Sequence, residues 1–292
     1  MKKIIETLEM HDGENLQVGR FEVVELRIAK GVVQIIHGFG EHIDMYSDLA
    51  AFLTANGYHC VIHNQRGFGK MLGKTESEAR KARGIIADYS FFLKDAETVR
   101  NAVTQWYPEL PIFLYGHSMG GNIAISILRN HSNMYKKAIL ETPWLRLFNQ
   151  PYRLVSFLAG RLGRLSHRLA VTSKINLGDI SRDEEVVNKI SLDKLYHNRI
   201  SLRLFSQVAI TGKRFLYGEV SINTPTLVLC GGQDKIVCPK AIRTFVKKAK
   251  GNIQLKDYPD GYHALRSDTI KTDVLGDVLA FIEASEHDPP SI

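Results

Sequence analysis

Ser118 stands in Gly116-His117-Ser118-Met119-Gly120, a Gly-x-Ser-x-Gly pattern with a second glycine at Gly121. Before it runs Pro111-Ile112-Phe113-Leu114-Tyr115, an apolar stretch that reads as a buried strand ending at Gly116. After it, Ile123/Ile127 and Ala124/Leu128 keep the i, i+4 spacing of a helix face. A serine between strand and helix sits on a strained turn, its hydroxyl exposed and its backbone at a helix N-terminus. A serine hydroxyl is a poor nucleophile at neutral pH; it needs a base to take its proton and a third group to orient that base.

Both partners are expected later in the chain, on loops after strands, the acid before the histidine. Asp234 fits the first place, just past Thr226-Leu227-Val228-Leu229-Cys230-Gly231-Gly232. Among eleven histidines, His263 fits the second, in Tyr258-Pro259-Asp260-Gly261-Tyr262-His263. Asp260 is the rival acid, but it shares the histidine's own loop and has little room to reach across. Attack on a carbonyl creates an oxyanion, which backbone N–H groups stabilise by about 3–4 kcal/mol for one donor. Met119, after the nucleophile, offers one donor; Phe39 offers the other, in the turn His37-Gly38-Phe39-Gly40. Glu41 and His42 could be metal ligands or a second acid/base pair, but no partner stands at matching helical spacing. They are expected to fix the loop by hydrogen bonds. Asn64 to Gly69 reads as a turn packed beneath the site.

These positions need a scaffold of alternating strands and helices. Residues Gln17 to Ile28 alternate loosely through Phe21, Val23, Leu26 and Ile28, suggesting an antiparallel pair with Asp12-Gly13 as its turn. Val32–Ile36 and Tyr58–Ile62 read as buried strands, with a helix from Tyr46 to Asn56 closed by Gly57. A longer helix is expected over Ile86 to Tyr107, and a strand over Lys137–Leu140. From Leu145 to about Asn223 the alternation gives way to several short helices. It resumes with strand Pro225–Cys230, helix 239–249, strand Ile253–Tyr258 and helix 270–284. The pattern predicts an α/β fold, a mostly parallel sheet with helices on both faces.

Composition narrows the function. The chain has 292 residues, 44% hydrophobic and 24% charged, ordinary for one globular α/β domain with an insertion. The first residues lack the apolar core of a signal peptide, and no stretch is long enough to span a bilayer. Cys60 and Cys230 lie in apolar runs and, with Cys238, show no metal-type pairing. These features lead to the expectation of a cytoplasmic protein. A net charge of +7 admits nucleic acid or anionic membrane as partner. No zinc-finger spacing, P-loop or dinucleotide fingerprint is present, and no nucleic-acid role is expected.

The chain resembles the α/β-hydrolase family of monoacylglycerol lipases and lysophospholipases, which includes serine aminopeptidase-like members. The resemblance rests on His37-Gly38-Phe39-Gly40-Glu41-His42, Gly116-His117-Ser118-Met119-Gly120-Gly121, Gly232-Gln233-Asp234 and Gly261-Tyr262-His263. It is joined by Ile180-Ser181-Arg182-Asp183 and Asp193-Lys194-Leu195-Tyr196-His197. It implies an α/β-hydrolase core over 1–144 and 224–292 and a helical cap, or lid, over 145–223. One departure is Asn64, where the family usually has Asp in an Asp-x-x-Gly-x-Gly turn; Asn can still accept that turn's N–H bonds.

The cap's first part is apolar and basic. Leu145, Leu147, Phe148, Leu154, Val155, Phe157, Leu158, Leu162, Leu165 and Leu169 alternate with Arg146, Arg153, Arg161, Arg164, Arg168 and Lys174, and no acid occurs before Asp179. Such a segment can lie on an anionic membrane surface, or its leucines can pack onto the body. Gly160 and Gly163 suggest a lid that moves. The expected activity is therefore that of a serine carboxylester hydrolase working through an acyl-enzyme on a single-chain acyl lipid, a monoacylglycerol or lysophospholipid, without metal or organic cofactor. Its rivals are a peptidase or small-ester esterase on the same scaffold, and a ligand-binding module without catalysis.

Overall fold

The computed structural model describes residues 1–24, 29–131, 134–150 and 160–285. Leu26 and Ile28 of the early alternation, and Arg153, Leu154, Val155, Phe157 and Leu158 of the cap, lie outside the described residues.

Alternating apolar residues in each central strand feed two separate cores. Val32, Ile36, Val61, Leu114, Val228 and Cys230 point to one face of the sheet; Val33, Ile35, Cys60, Ile62, Tyr115, Leu227 and Leu229 point to the other. A strand buried on both sides has no polar positions to spare, hence the near-continuous apolar runs. The eight-stranded sheet has the order β1-β2-β4-β3-β5-β6-β9-β10. Its strands are β1 (Lys2–Glu9), β2 (Asn15–Glu22), β3 (Gly31–Ile36), β4 (Tyr58–His63), β5 (Ile112–His117), β6 (Ala138–Glu141), β9 (Ser221–Gly231) and β10 (Lys250–Tyr258). From β4 onward the neighbours are parallel, while β1 and β2 form an antiparallel edge. One face is covered by α1 (Ser47–Ala55) and α8 (Lys271–Glu283). The other carries α3 (Ser90–Trp106), α4 (Met119–Asn130) and α7 (Pro239–Lys248).

Several expected boundaries move, each for a local reason. The early pair forms between Lys2–Glu9 and Asn15–Glu22 instead of within Gln17–Ile28, although Asp12-Gly13 does lie in its turn. None of the residues of β1 is buried, and its charges fall on both faces (Lys2 and Glu6 on one, Lys3 and Glu9 on the other), which hides the alternation. The helix expected from Ile86 begins at Ser90, where the Asp88 carboxylate accepts the Ser90 N–H at 3.0 Å. The helix expected from Tyr46 is a 3-10 turn, Ile43–Tyr46, leading into α1. An unforeseen helix α2 (Glu76–Ala82) starts on a reciprocal Thr75–Glu78 cap. β9 and β10 begin earlier than expected, at Ser221 and Lys250.

β6 and β9 are neighbours in the sheet but distant in sequence, and the described residues within 142–220 lie outside the sheet between them. That excursion contains more than short helices. It holds a two-stranded antiparallel ribbon, β7 (Ala170–Thr172) with β8 (Arg199–Ser201), then α5 (Glu184–Leu192) and the long α6 (Leu202–Tyr217). Asp183 caps α5 and Ser201 caps α6 through their side-chain oxygens. Among the described residues no helix is long and apolar enough to cross a membrane.

Candidate active site

Ser118 links β5 to α4 with φ 52° and ψ −115°, a left-handed conformation that a side chain resists. Such strain costs on the order of 1–3 kcal/mol and persists only where surroundings enforce it. Here they do: the Ser118 N–H donates to the Glu141 carbonyl at 3.0 Å, and its own carbonyl accepts from Trp144 and Asn122. Gly120 lets α4 start hard against β3, because a Cβ there would overlap the Ile36 carbonyl oxygen.

The structure brings Ser118, His263 and Asp234 together. His263 Nε2 lies 3.0 Å from Ser118 Oγ, and its Nδ1 lies 2.7 Å from Asp234 Oδ2. Asp234 Oδ1 accepts the N–H groups of Ile236 and Val237, at 2.7 and 2.9 Å. A carboxylate so placed accepts from Nδ1–H, which leaves Nε2 with its lone pair toward the serine hydroxyl. All three side chains are buried. Burial lowers the His263 pKa, but the Asp234 carboxylate, helped by the charges of Glu41 and Glu141, makes the net shift upward. Asp260, the rival acid, is exposed. Gly231 and Gly232, just before Asp234, make room for the histidine loop. Neither has a positive φ; they admit the backbone of the histidine loop, which a Cβ at either would strike.

Phe39 lines the cavity into which Ser118 opens, and Met119 follows the serine as the first residue of α4. The N–H groups of both are without a hydrogen-bond partner among the described residues, the state a donor set waiting for an oxyanion requires. Gln65 ties the 64–69 turn to the 37–40 loop, its side chain donating to the His37 carbonyl at 2.6 Å. Asn64 Oδ1 accepts from Ile43 N–H on the neighbouring loop, not from its own turn, and Nδ2 donates to Gln17 Oε1.

Glu41 and His42 do fix the loop. His42 Nε2 pairs with Asp193 Oδ2 at 2.8 Å, across to the 142–220 excursion. Glu41 is engaged by Gly38, Tyr46, His117 and Arg266. Of these, Arg266 and its second partner Glu141 escape sequence reasoning, because a charge near a loop reads as solvated. The signal that could have found Glu141 is an acid closing the apolar strand Ala138-Ile139-Leu140. Metal-type donors among the described residues gather at His11, Asp12 and Asp95, where the Arg66 guanidinium bonds both carboxylates.

Ser118 and His263 open into a cavity of about 570 Å³. Its walls are mainly apolar: Phe39 and Ile236 from the sheet side, and Trp144, Leu147, Ile175, Ile180, Ile200, Leu202 and Phe205 from the excursion. Its polar lining includes Asn149, Ser173, Lys174, Asn176, Asp179 and Lys235. Leu162 and Leu165, expected as apolar surface of the cap, are not on these walls; they are 46% and 82% exposed.

The profile of the family described as "Serine aminopeptidase, S33" matches residues 27–270. A monoglyceride lipase homolog of Monkeypox virus is 29% identical over 256 residues, 87% of this chain and 89% of that one. A monoacylglycerol lipase of Mycolicibacterium smegmatis is 27% identical over 255 residues, covering 87% and 88%. A soluble variant of the Saccharomyces cerevisiae monoglyceride lipase, solved with a substrate analog, superposes with a TM-score of 0.83 at 23% identity. That match covers 96% of this chain and 94% of that one, and the fold is the α/β-hydrolase fold.

Proposed function

The chain belongs to the serine aminopeptidase S33 family of serine hydrolases, and from that premise we propose that it hydrolyses the ester of a single-chain acyl lipid, a monoacylglycerol or lysophospholipid. In this reading Ser118 Oγ attacks the ester carbonyl while His263 Nε2 takes its proton. Asp234 keeps the imidazole in the required tautomer and stabilises the imidazolium. The N–H groups of Phe39 and Met119 hold the oxyanion. Collapse of the tetrahedral intermediate expels the alcohol, which leaves with the proton from His263. Water, activated by the same imidazole, then frees the fatty acid. Residues 145–223 act as a lid that supplies the acyl site and keeps water out.

One observation carries the substrate class: the relayed serine faces a cavity whose walls are mostly aliphatic and aromatic. An aminopeptidase needs a free acid for the substrate's ammonium. Of the two acids on the wall, Glu41 is consumed by four donors, leaving Asp179 alone. A further part of the proposal concerns the surface. Arg161, Arg164 and Arg168 are exposed beside Leu162 and Leu165, and residues 160–165 are helical. Basic and apolar groups so interleaved suit peripheral contact with an anionic membrane.

Fluorophosphonate labelling of the wild type and Ser118→Ala, followed by a panel of acyl esters and aminoacyl-arylamides, tests the reading. Expected are an adduct on Ser118 alone, ester turnover favouring long acyl chains, and a loss of about a thousandfold or more in the alanine variant. Fast amide cleavage without preference for acyl length would remove the lipase reading; absence of any adduct would favour a binding module.

A further inference from the structure

Three buried charges, Glu41 at the cavity wall with Arg266 and Glu141 behind it, take no direct part in the reaction just described. Arg266, three residues after His263, donates Nη1 to Glu141 Oε2 at 2.9 Å and its backbone N–H to Glu141 Oε1 at 2.8 Å. Its Nη2 reaches Glu41 Oε1 at 2.7 Å, and the guanidinium lies 4.1 Å above the Tyr46 ring. Glu41 Oε2 accepts from Gly38 N–H at 2.5 Å, Tyr46 O–H at 2.6 Å and His117 Nδ1 at 3.0 Å. Tyr115 O–H donates to Glu141 Oε2 at 2.8 Å.

Each end of this assembly belongs to a different loop of the site. Glu41 clamps the Gly38 amide, the one before the Phe39 donor. Glu141 offers its carbonyl to Ser118 N–H at 3.0 Å. Arg266 ends the short segment from His263, whose carbonyl is held by Thr142 Oγ1 at 2.8 Å. Thr142 itself sits at φ 41°, so the chain tolerates strain at a β-branched residue to keep that contact. Burying an ion pair gives little stability over apolar residues of the same volume, because desolvation offsets the attraction. A pure core requirement therefore does not account for three charges here, whereas mutual alignment of three loops does.

We propose that Glu41, Arg266 and Glu141 are positioning residues, one ionic bridge that fixes the oxyanion loop, the serine turn and the histidine loop relative to one another. The proposal rests on the serine-nucleophile reading above. Electrostatics is consistent with it. Burial pushes Glu41 upward, yet His117 and Arg266 hold it well below the carboxylate range; Glu141 is lowered against the same penalty by Arg266. The groups facing His263 are Asp234, Glu41 and Glu141, with His117 in ring contact at 4.9 Å and Arg266 bridging the two glutamates. Tyr46 and Tyr196 also face Glu41, and Tyr115 faces Glu141.

The test measures kcat, KM and the acid limb of the pH profile on a p-nitrophenyl acyl ester, with urea unfolding of every variant. Glu41→Gln should lower kcat by about ten- to a hundredfold, the scale of a sub-ångström to ångström misplacement, with KM near wild type. Its acid limb should move to lower pH, because a charge that favours the His263 imidazolium is gone. Arg266→Lys keeps the charge but cannot span both carboxylates, so kcat should fall while the limb stays. Tyr46→Phe removes one donor without any charge and serves if the charge variants do not fold; it should lower kcat several-fold. Folded Glu41→Gln or Tyr46→Phe with wild-type kcat and acid limb would overturn the proposal while leaving the triad standing. Turnover that survives Ser118→Ala would sink the reading of the site, and this bridge with it.

Discussion

Nε2 of His263 can serve as a base only while it is unprotonated. Because burial is outweighed by the carboxylates of Asp234, Glu41 and Glu141 together, its pKa is raised above 6.5, and kcat/KM should decline as pH falls through a midpoint above 6.5, in a profile with a non-ionising ester. A midpoint well below that value would mean that Asp234 does not face the ring in solution. The linked effect on stability has the opposite course: the pair's contribution is complete below the unfolded histidine value and fades as pH rises through the folded one. Ser118, Asp234 and His263 were legible because order along the chain and post-strand position are sequence properties. Arg266 and Glu141 were not, since their partner residues come from loops 125 residues apart, and nothing local distinguishes a buried charge from a solvated one.

At the scale of elements, the nucleophile turn depends on how closely α4 approaches β3. Gly120→Ala would push a methyl into the Ile36 carbonyl, and neither backbone can yield without moving its strand or helix. A loss of about 3 kcal/mol is expected, read as a lower urea midpoint, together with weaker fluorophosphonate labelling. Unchanged stability would mean that the strand–helix junction is looser than described. The fully buried, mainly apolar central strands and their following helices were readable from the sequence. The β7–β8 ribbon was not: three-residue strands carry too few side chains for a period, and Ala170, Val171 and Thr172 are only partly buried or exposed. β1 was missed because none of its residues is buried and charges fall on both of its faces, so no apolar period stands out.

On the scale of the whole molecule, basic charge is concentrated where the excursion meets solvent. Binding to anionic vesicles should be measurable by co-sedimentation at low salt and fall steeply as salt rises, each basic residue near the interface contributing about 1 kcal/mol. Replacing Arg161, Arg164 and Arg168 by Glu together should abolish sedimentation while leaving turnover of a water-soluble ester within about twofold, as expected for exposed positions. Equal sedimentation of both proteins would place the contact elsewhere. The excursion also has a temporal meaning. β6 gains its neighbour β9 only after residues 142–220 have been made, and closing so long a loop before any contact rewards it is slow. During synthesis Ser118 emerges well ahead of Asp234 and His263, so the three side chains can meet only once the last quarter of the chain, from Ser221 on, has joined the sheet.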